Sequence, residues 1–260
     1  MSFSANFARL NSMQSLNSWL AEGPYTLSLC SHFFGYYSHT AIVEQLYKSN
    51  YRPRKITGTS AGALVGAAIA SGISPAGFKE ILFSKTVQDY WDPKIGLGLL
   101  AGKKFLSLMQ SIFVPDFAQT HVPLEVGVTE LPFFKLKFLH QGNLPQSVLA
   151  SCAVPLMFPP VKVDRRWYYD GGVLQKSGIP LSDRNERVLN IYLDMSESIF
   201  KKTISKNSTL WGPHHRVIYL PKAPQVNPRN LTTGHSAYDQ TFARAEALFK
   251  NDFRENALII

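Results

Sequence analysis

The chain has 260 residues, of which 45% are hydrophobic and 17% charged, so its composition excludes an intrinsically disordered protein. A formal net charge of +9 favours an anionic partner, either a membrane surface or a nucleic acid, although scattered basic pairs are equally typical of an ordinary solvated face. The two cysteines, far apart in apolar stretches, show neither a disulfide framework nor metal-ligand spacing.

The N-terminal residues 1–22 are polar and loosely helical, without the basic and apolar regions of a secretory signal. An uninterrupted apolar run of about 20 residues, which a transmembrane helix requires, is absent from the sequence. We therefore expect a cytoplasmic or peripheral membrane protein, with an N-terminal segment over 1–24 and one domain over 25–260.

Strands and helices alternate in the next part of the chain. A strand is predicted over 25–30 and a helix over 40–47, and a second short strand ends just before residue 58. A run of small, helix-favouring residues then reaches Ser71. Strand, helix, strand, helix predicts an α/β fold with a parallel sheet.

The second strand leads into Gly58-Thr59-Ser60-Ala61-Gly62, a G-x-S-x-G pentapeptide in the strand-to-helix context that this motif needs. The turn would present Ser60 as a nucleophile at a helix N-terminus, where N–H groups and the helix dipole favour developing negative charge. A side chain at Gly58 or Gly62 would collide with the neighbouring strand or helix. The alternative is a glycine-containing loop with an incidental serine.

Residues 73–120 are predicted to be mostly helical. An apolar, glycine-rich stretch over 95–102 precedes two lysines and then apolar residues at helical spacing, which are Phe105, Leu108, Met109 and Ile112. Such a stripe is most often an ordinary core face. Because lysines flank it, it is also compatible with an acyl-binding lid or a membrane-contact surface.

An aromatic strand over 167–169 runs into Asp170-Gly171-Gly172. A carboxylate at a strand end can project into a site, although Asp-Gly-Gly is most often a simple turn. Further elements are predicted as strands over 122–129, 133–139, 188–193 and 216–220, and as helices over 144–152 and 235–257.

Three segments together resemble the patatin-like phospholipases: the G-x-S-x-G turn, Ser-Cys-Ala-Val-Pro-Leu-Met-Phe-Pro-Pro-Val over 151–161, and Tyr-Asp-Gly-Gly-Val over 169–173. The resemblance implies a three-layer α/β/α sandwich with a mainly parallel sheet, and an acyl hydrolase without metal or other cofactor. It also implies a Ser–Asp dyad that cleaves lipid or phospholipid esters through an acyl-enzyme. Ser60 would be the nucleophile and Asp170 the base.

The chain departs from the resemblance at residues 31–36, where most members carry a glycine-rich oxyanion loop. Of its glycines only Gly35 remains. Gly35 is the residue of this loop that accepts a positive φ without strain and lets a substrate oxygen approach the backbone. We therefore predict that its N–H, with that of Phe34 or Tyr36, forms the oxyanion hole. The alternative is that Gly35 only serves the strand-to-helix turn.

Two other functions remain open at this point. One is a Ser–His–Asp esterase, whose base would be His214, His215 or His235. The other is a catalytically weak member that binds lipid or an anionic membrane surface through a decayed site. Nucleic-acid binding fits the charge, but no recognition motif is present, and we expect no nucleic-acid partner.

Overall fold

The computed structural model describes residues 14–94, 96–195, 212–253 and 256–260. Most of the segment expected over 1–24, residue 95 of the apolar stretch and the basic pair at 201–202 lie outside the described residues. The α-helices are α1 (Leu16–Ala21), α2 (Tyr36–Lys48), α3 (Ala61–Ala70), α4 (Pro75–Ser84), α5 (Lys103–Ile112), α6 (Leu144–Ser151) and α7 (Thr233–Ala245). The strands are β1 (Thr26–Leu29), β2 (Lys55–Thr59), β3 (Leu124–Glu130), β4 (Lys135–Leu139), β5 (Val161–Val163), β6 (Arg166–Asp170), β7 (Val188–Leu193), β8 (His215–Leu220) and β9 (Ala257–Ile259).

One mixed sheet organises these strands in the order β5-β6-β3-β2-β1-β7-β8-β9, with β4 also paired to β3. Within this order, the neighbouring strands β3, β2, β1, β7, β8 and β9 run parallel to one another. Strands β4, β5 and β6 pair antiparallel. With helices flanking this sheet, the expected α/β fold is confirmed.

Helix α3 packs on β1, β2 and β3 and is buried along all of its residues. Its sequence, AGALVGAAIA, explains the close approach, because small side chains allow the helix backbone to lie near the strands. At Gly66 an added Cβ would already lie 3.0 Å from the Ile56 side chain of β2. Burial of α3 therefore fixes the position of Ser60, the residue that precedes the helix.

The C-terminal part differs from the sequence-based expectation. The helix predicted over 235–257 ends at Ala245, and a 3₁₀ turn over Glu246–Phe249 follows it. The chain then adds β9, which pairs parallel to β8 and extends the sheet by one strand. The prediction was wrong there because the apolar residues 257–259 pair with β8 as a strand, which buries Ala257 and Leu258.

The position of β6 brings two distant parts of the chain together. Strand β4 occupies one edge of β3. On the other edge, β2 pairs up to Thr59 opposite Gly127, and the pairing of β6 starts with Asp170 opposite Val128. The ends of β2 and β6 therefore meet on one edge of β3, which places the residue after Thr59 beside Asp170.

None of the helices in the described ranges is long and apolar enough to cross a membrane.

Candidate active site

Ser60 sits in a backbone conformation that most residues avoid. It follows β2 as the residue before α3, with φ 55° and ψ −120°. The two motif glycines make this turn feasible by close approach. A Cβ at Gly58 would lie 2.5 Å from the carbonyl oxygen of Gly62, and one at Gly62 would lie 2.2 Å from that of Leu29 in β1. The collisions expected from the sequence are confirmed, and the strand–turn–helix context of the motif is present.

The backbone of Ser60 is held by a side chain from α6. Its N–H donates to Ser151 Oγ at 2.8 Å, and Ser151 Oγ donates in turn to the Gly127 carbonyl oxygen of β3 at 2.6 Å. Ser151 is fully buried. It belongs to the 151–161 segment that carried the resemblance, but its hydroxyl was not among the predicted site residues.

Asp170 lies at the end of β6 with its carboxyl group almost completely buried. Its Oδ1 accepts the Gly172 N–H at 2.7 Å, its own N–H donates to the Ala153 carbonyl at 2.9 Å, and its carbonyl accepts the Thr129 hydroxyl at 2.9 Å. Burial raises the pKa of Asp170 to about 6, against the lowering effects of the Ser60 hydroxyl and the Gly172 N–H. A carboxylate with this pKa is a better base near neutral pH than an exposed one.

Both glycines after Asp170 are required by close packing. A Cβ at Gly171 would lie 2.5 Å from the Gly127 carbonyl oxygen, and a Cβ at Gly172 would lie 2.3 Å from Ser31 Oγ. The Gly127 carbonyl is therefore in contact with the turn of Asp170 and with the hydroxyl that holds Ser60. Through these contacts the turn after β6 is fitted against the turn after β2.

The loop over 31–36 differs from the expectation for Gly35. Gly35 has φ −69°, an ordinary helical value, and the positive φ of the turn belongs to Phe34 at 53°. The Gly35 N–H donates to the His32 carbonyl at 2.9 Å. The predicted positive φ of Gly35 is wrong, and its N–H is engaged in the turn. A Cβ there would lie 2.7 Å from His32 Cβ, so glycine is needed for space.

Other backbone donors near Ser60 are free. The N–H groups of Phe34, Tyr36 and Ala61 donate to no acceptor in the described part of the chain. Tyr36 and Ala61 are the first residues of α2 and α3, where helical N–H groups lack internal partners. Ala61 was missed in the sequence, although the residue after a G-x-S-x-G nucleophile is a known donor position. An oxyanion role for Phe34 and Tyr36 stays a prediction.

Of the three histidines considered as bases, His214 and His215 lie far from Ser60. His215 begins β8 and stands in the row of Thr26 and Lys55, at the opposite end of the parallel strands from Ser60. That separation along the strands is about 15 Å. Both its ring nitrogens are engaged, by the Gly212 N–H and the Asp183 carbonyl. His214 precedes it, and His235 stacks on Phe83.

Two further histidines, His32 of the 31–36 loop and His39 of α2, are neutral near pH 7. Burial lowers the pKa of His32 to about 4 and that of His39 to about 3. His39 Nε2 lies 2.8 Å from the Cys30 carbonyl, to which it donates in that tautomer. His32 Nδ1 lies 3.1 Å from the Phe33 carbonyl. Across the described residues, no histidine nitrogen is hydrogen bonded to Ser60 or Asp170.

The two cysteines are free and buried. Burial raises the pKa of Cys30 to about 11 and that of Cys152 well above its ordinary value. Both thiols therefore stay protonated at neutral pH and are poor nucleophiles.

An apolar cavity of about 140 Å³ opens at Ser60. Ser60 and Ala61 line it together with the 31–36 loop, α4, α5 and the 152–158 segment. The apolar stripe of α5 predicted from the sequence faces this cavity through Phe105, Leu108, Met109 and Ile112. The stripe is thus both a packing face and a cavity wall. The apolar lining of the cavity suits a hydrocarbon chain.

Within the described ranges, no group of three or more His, Cys, Asp or Glu side chains is arranged to hold a metal ion.

Comparison with known proteins agrees with this geometry. The Patatin-like phospholipase family model matches residues 33–183, which is more than half of the chain and includes Ser60 and Asp170. Uncharacterised NTE family proteins from Mycobacterium bovis and Mycobacterium tuberculosis are 31% identical over 142 residues, which is 53% of this chain and 39% of theirs. The match therefore spans about two-fifths of the length of these curated relatives.

A solved structure shares the fold at low sequence identity. The crystal structure of VipD from Legionella pneumophila superposes with a TM-score of 0.63 at 12% identity, over 91% of this chain and 71% of that chain. The family match over residues 33–183 and the shared fold lead to one conclusion: the chain belongs to the patatin-like phospholipase family.

Proposed function

We propose that this chain is a serine acyl hydrolase that cleaves ester bonds of lipids, including phospholipids, with Ser60 as nucleophile and Asp170 as its base. The observation that carries the proposal is the meeting of the two turns. A serine in a strained strand-to-helix turn faces a buried carboxylate whose pKa is raised to about 6, at the wall of an apolar cavity.

The reaction follows from these positions. Asp170 takes the proton of Ser60 as Oγ attacks the ester carbonyl carbon, and the carbonyl π electrons move onto oxygen. The tetrahedral intermediate collapses by breaking the ester C–O bond, and Asp170 returns the proton to the leaving alcohol. Water then attacks the acyl-enzyme with the same proton path and releases the fatty acid and free Ser60.

The developing oxyanion requires donors close to Ser60. We propose the N–H groups of Phe34, Tyr36 and Ala61, which lack other acceptors in the described part of the chain, as candidates for this role. Each preorganised donor of this type contributes about 3 kcal/mol to lowering the barrier. The helix dipoles of α2 and α3 add to it, because both helices begin at the site.

An activity-based probe separates this proposal from its alternatives. Purified protein should be labelled by a fluorophosphonate and should hydrolyse a short soluble ester. Ser60→Ala should abolish both, and Asp170→Asn should reduce hydrolysis by about a thousandfold or more while the protein stays folded. Single replacements of His214, His215 and His235 should leave turnover within a few-fold of the unmodified chain.

The outcomes discriminate between mechanisms. A histidine variant as inactive as Ser60→Ala would establish the Ser–His–Asp mechanism instead. A folded protein that binds lipid vesicles but shows neither labelling nor hydrolysis would identify a binding protein with a decayed site.

A second proposal concerns peripheral contact with a membrane, and a specific surface supports it. Leu97, Leu99 and Leu156 are 76%, 67% and 81% exposed and form what we call the leucine rim. The rim is held together by an isolated bridge from Gly98 to Leu156 and by the Leu99 N–H, which donates to the Leu156 carbonyl at 3.0 Å.

The leucine rim borders the cavity, and its backbone is strained at Leu156. Leu100 and Met157, its chain neighbours, line the cavity, as does Trp91. Leu156 has φ 71°, a left-handed conformation that costs a non-glycine residue about 1–2 kcal/mol. An exposed leucine held in such strain beside the entrance to an apolar cavity fits insertion into lipid, because a membrane would cover its side chain.

Lysines flank the rim and give it a preference for anionic lipid. Lys94, Lys103 and Lys104 are exposed on the same segment, and Asp92, the acidic residue among them, accepts N–H groups from Gly102 and Lys104. We expect tighter association with anionic than with zwitterionic vesicles, weakening as salt rises.

A matched pair of variants tests the surface. Leu156→Ser should weaken vesicle binding by several-fold without changing hydrolysis of a soluble ester. Leu181→Ser replaces an equally exposed leucine, 82% accessible, near Asp183 at the other end of the sheet, and should have no effect on binding. Equal loss in both variants, or binding indifferent to lipid charge and salt, would contradict the proposal.

A further inference from the structure

We propose that Ser151 is a positioning residue that holds the nucleophile turn in its reactive geometry, an inference that rests on the proposed hydrolase function. Its hydroxyl lies across 91 residues of sequence from Ser60 and still makes a direct hydrogen bond to the Ser60 backbone. The residue is the last of α6 and is fully buried against β3.

The Ser151 hydroxyl uses both of its hydrogen-bonding roles. It accepts the Ser60 N–H at 2.8 Å and donates to the Gly127 carbonyl oxygen at 2.6 Å. A hydroxyl can accept and donate at once, whereas an alanine methyl can do neither. The bridge therefore ties the nucleophile turn to the central strand β3. Without it, a buried N–H and a buried carbonyl would lose their partner, which is costly in an apolar surrounding.

The strain at Ser60 gives this bridge a purpose beyond stability. A serine at φ 55° and ψ −120° relaxes toward a commoner conformation unless its neighbours prevent it. The glycines at 58 and 62 permit the turn by leaving room, but they do not bond to Ser60. The Ser151 hydroxyl bonds the backbone amide of the proposed nucleophile itself, so it fixes the direction of the Cα–Cβ bond that carries Oγ.

The same short segment also positions the base. Two residues after Ser151, the Ala153 carbonyl accepts the Asp170 N–H at 2.9 Å. Residues 151–153 thus bond the backbones of both proposed dyad members, one through a side chain and one through a carbonyl. A shift of this segment would move Ser60 relative to Asp170. The distance between nucleophile and base is therefore set by the end of α6.

The experiment compares two buried serines of one helix. Ser147 is also fully buried on α6, but its Oγ only donates to the Asn143 carbonyl of its own helix at 2.8 Å. We expect Ser151→Ala to lower kcat by about ten- to a hundredfold with KM within a few-fold, because small misplacement of reacting groups has effects of this size. Ser147→Ala should leave both kinetic constants near those of the unmodified chain.

Two more measurements keep the inference testable if Ser151→Ala folds poorly. Ser151→Cys is nearly isosteric but bonds weakly, so its kcat and its rate of fluorophosphonate labelling should fall between those of the unmodified chain and Ser151→Ala. Amide hydrogen exchange should show loss of protection at Ser60 in the Ser151 variants and not in Ser147→Ala. This exchange readout does not depend on catalysis.

The possible results separate the two proposals. An active unmodified chain with unchanged kcat in Ser151→Ala, or in a folded Ser151→Cys when the alanine variant fails to fold, would overturn the positioning role alone. An unmodified chain that neither hydrolyses esters nor reacts with the probe would refute the hydrolase, and the catalytic role of Ser151 with it. Proportional loss of kcat and thermal stability in both Ser151→Ala and Ser147→Ala would reduce Ser151 to a structural residue.

Discussion

Ser60 and Phe34 face the same cavity from two sides and share nearly the same unusual backbone angle, φ 55° and φ 53°. They are held in very different ways. Ser60 is held through its own backbone: its N–H donates to the Ser151 hydroxyl, its carbonyl accepts the Leu64 N–H, and glycines on both sides pack against carbonyl groups. Phe34 is held by aromatic rings, with centroids 4.7 Å from Phe33, 5.6 Å from Tyr36 and 6.3 Å from Tyr90.

This difference shows how one site combines a rigid half, the turn at Ser60 with its Asp170 partner, and an adaptable half, the loop over 31–36. The backbone contacts at Gly58 and Gly62 leave no room for a side chain at either position, so the Ser60 turn is tightly confined. Ring contacts between aromatic side chains are replaceable, and the loop keeps its free N–H groups without the usual glycines. The loop can therefore depart from the family pattern while the Ser60 turn retains it.

The sharpest way to break the rigid half is Gly62→Ala. Its Cβ would lie 2.2 Å from the Leu29 carbonyl oxygen, which is backbone and cannot yield. We expect a loss of unfolding free energy of about 3 kcal/mol or more together with loss of activity. Chemical denaturation measures the effect, and Gly66→Ala is the control on the same helix.

At Gly66 an added methyl meets only side-chain ends, Ile56 Cγ2 at 3.0 Å and Leu124 Cδ1 at 3.1 Å, and it gains helix propensity. We expect its stability to change by no more than about 1 kcal/mol. Equal destabilisation by the two substitutions would show that α3 tolerates movement and that the turn is not held by its glycines.

Asp170→Asn tests how much unfolding free energy is lost by burying the Asp170 carboxylate. Burial raises the pKa of Asp170 to about 6, so the folded state holds its proton more tightly than the unfolded chain. The Asp170 carboxyl makes its full contribution to the unfolding free energy at pH values below the pKa that it has in the unfolded chain. That contribution is lost as the pH rises through about 6, the pKa in the folded state. At pH 7 the neutral amide should therefore raise the unfolding free energy by about 2–3 kcal/mol.

The amide oxygen introduced by Asp170→Asn can still accept the Gly172 N–H, so the turn is kept. The gain in stability should shrink as pH falls from neutral toward 4, where the unmodified carboxyl is protonated in the folded state. A difference that does not vary with pH would contradict the raised pKa.

Gly35→Val tests the adaptable half. Its side chain would meet His32 Cβ and Leu193 Cδ1, both within 3 Å of the first added atom, so we expect a loss of about 1–3 kcal/mol in stability. Because the Gly35 N–H is already bonded in the turn, kcat per folded molecule should stay within a few-fold. Turnover and a thermal melt measured on the same sample separate the two quantities. A stable variant with turnover a hundredfold lower would restore Gly35 to the oxyanion hole.

The sequence was informative where local pattern and local structure coincide. The G-x-S-x-G turn and the Asp-Gly-Gly turn each carry their glycines within a few residues, and their strand contexts follow from alternation of apolar residues. Ser151 could not be found in this way, because its partner Ser60 is distant in sequence and a buried serine has no distinctive neighbours. Nothing local predicts that β6 joins β3 on the edge used by β2.

The backbone conformation of Gly35 was misjudged for a related reason. A glycine in a loop suggests a positive φ, but the requirement here is space, set by His32 and by Leu193 at the end of β7. The contact with Leu193 depends on the pairing of β1 with β7, which the sequence does not specify. The C-terminal strand β9 was missed similarly, because its partner β8 is what makes residues 257–259 a strand.

The pH dependence of activity distinguishes the Ser60 and Asp170 side of the site from the loop side. If Asp170 on the rigid side is the base, kcat/KM should fall about tenfold per pH unit below an apparent pKa near 6, because only the carboxylate accepts the Ser60 proton. His32 and His39 on the loop side have pKa values lowered to about 4 and 3, so they stay neutral over this range.

An exposed histidine acting as base would titrate in nearly the same range as Asp170, so the pKa alone does not identify the group. Its temperature dependence does, since ionisation of a carboxyl group has almost no enthalpy, whereas that of an imidazolium is strongly endothermic. We expect the apparent pKa of the pH–rate profile to be nearly constant between 10 and 35 °C, a range of about 25 °C that lies below the usual melting range of such domains. A pKa that falls steadily on warming would assign the base to a histidine and would transfer the proton-accepting role away from the Asp170 turn.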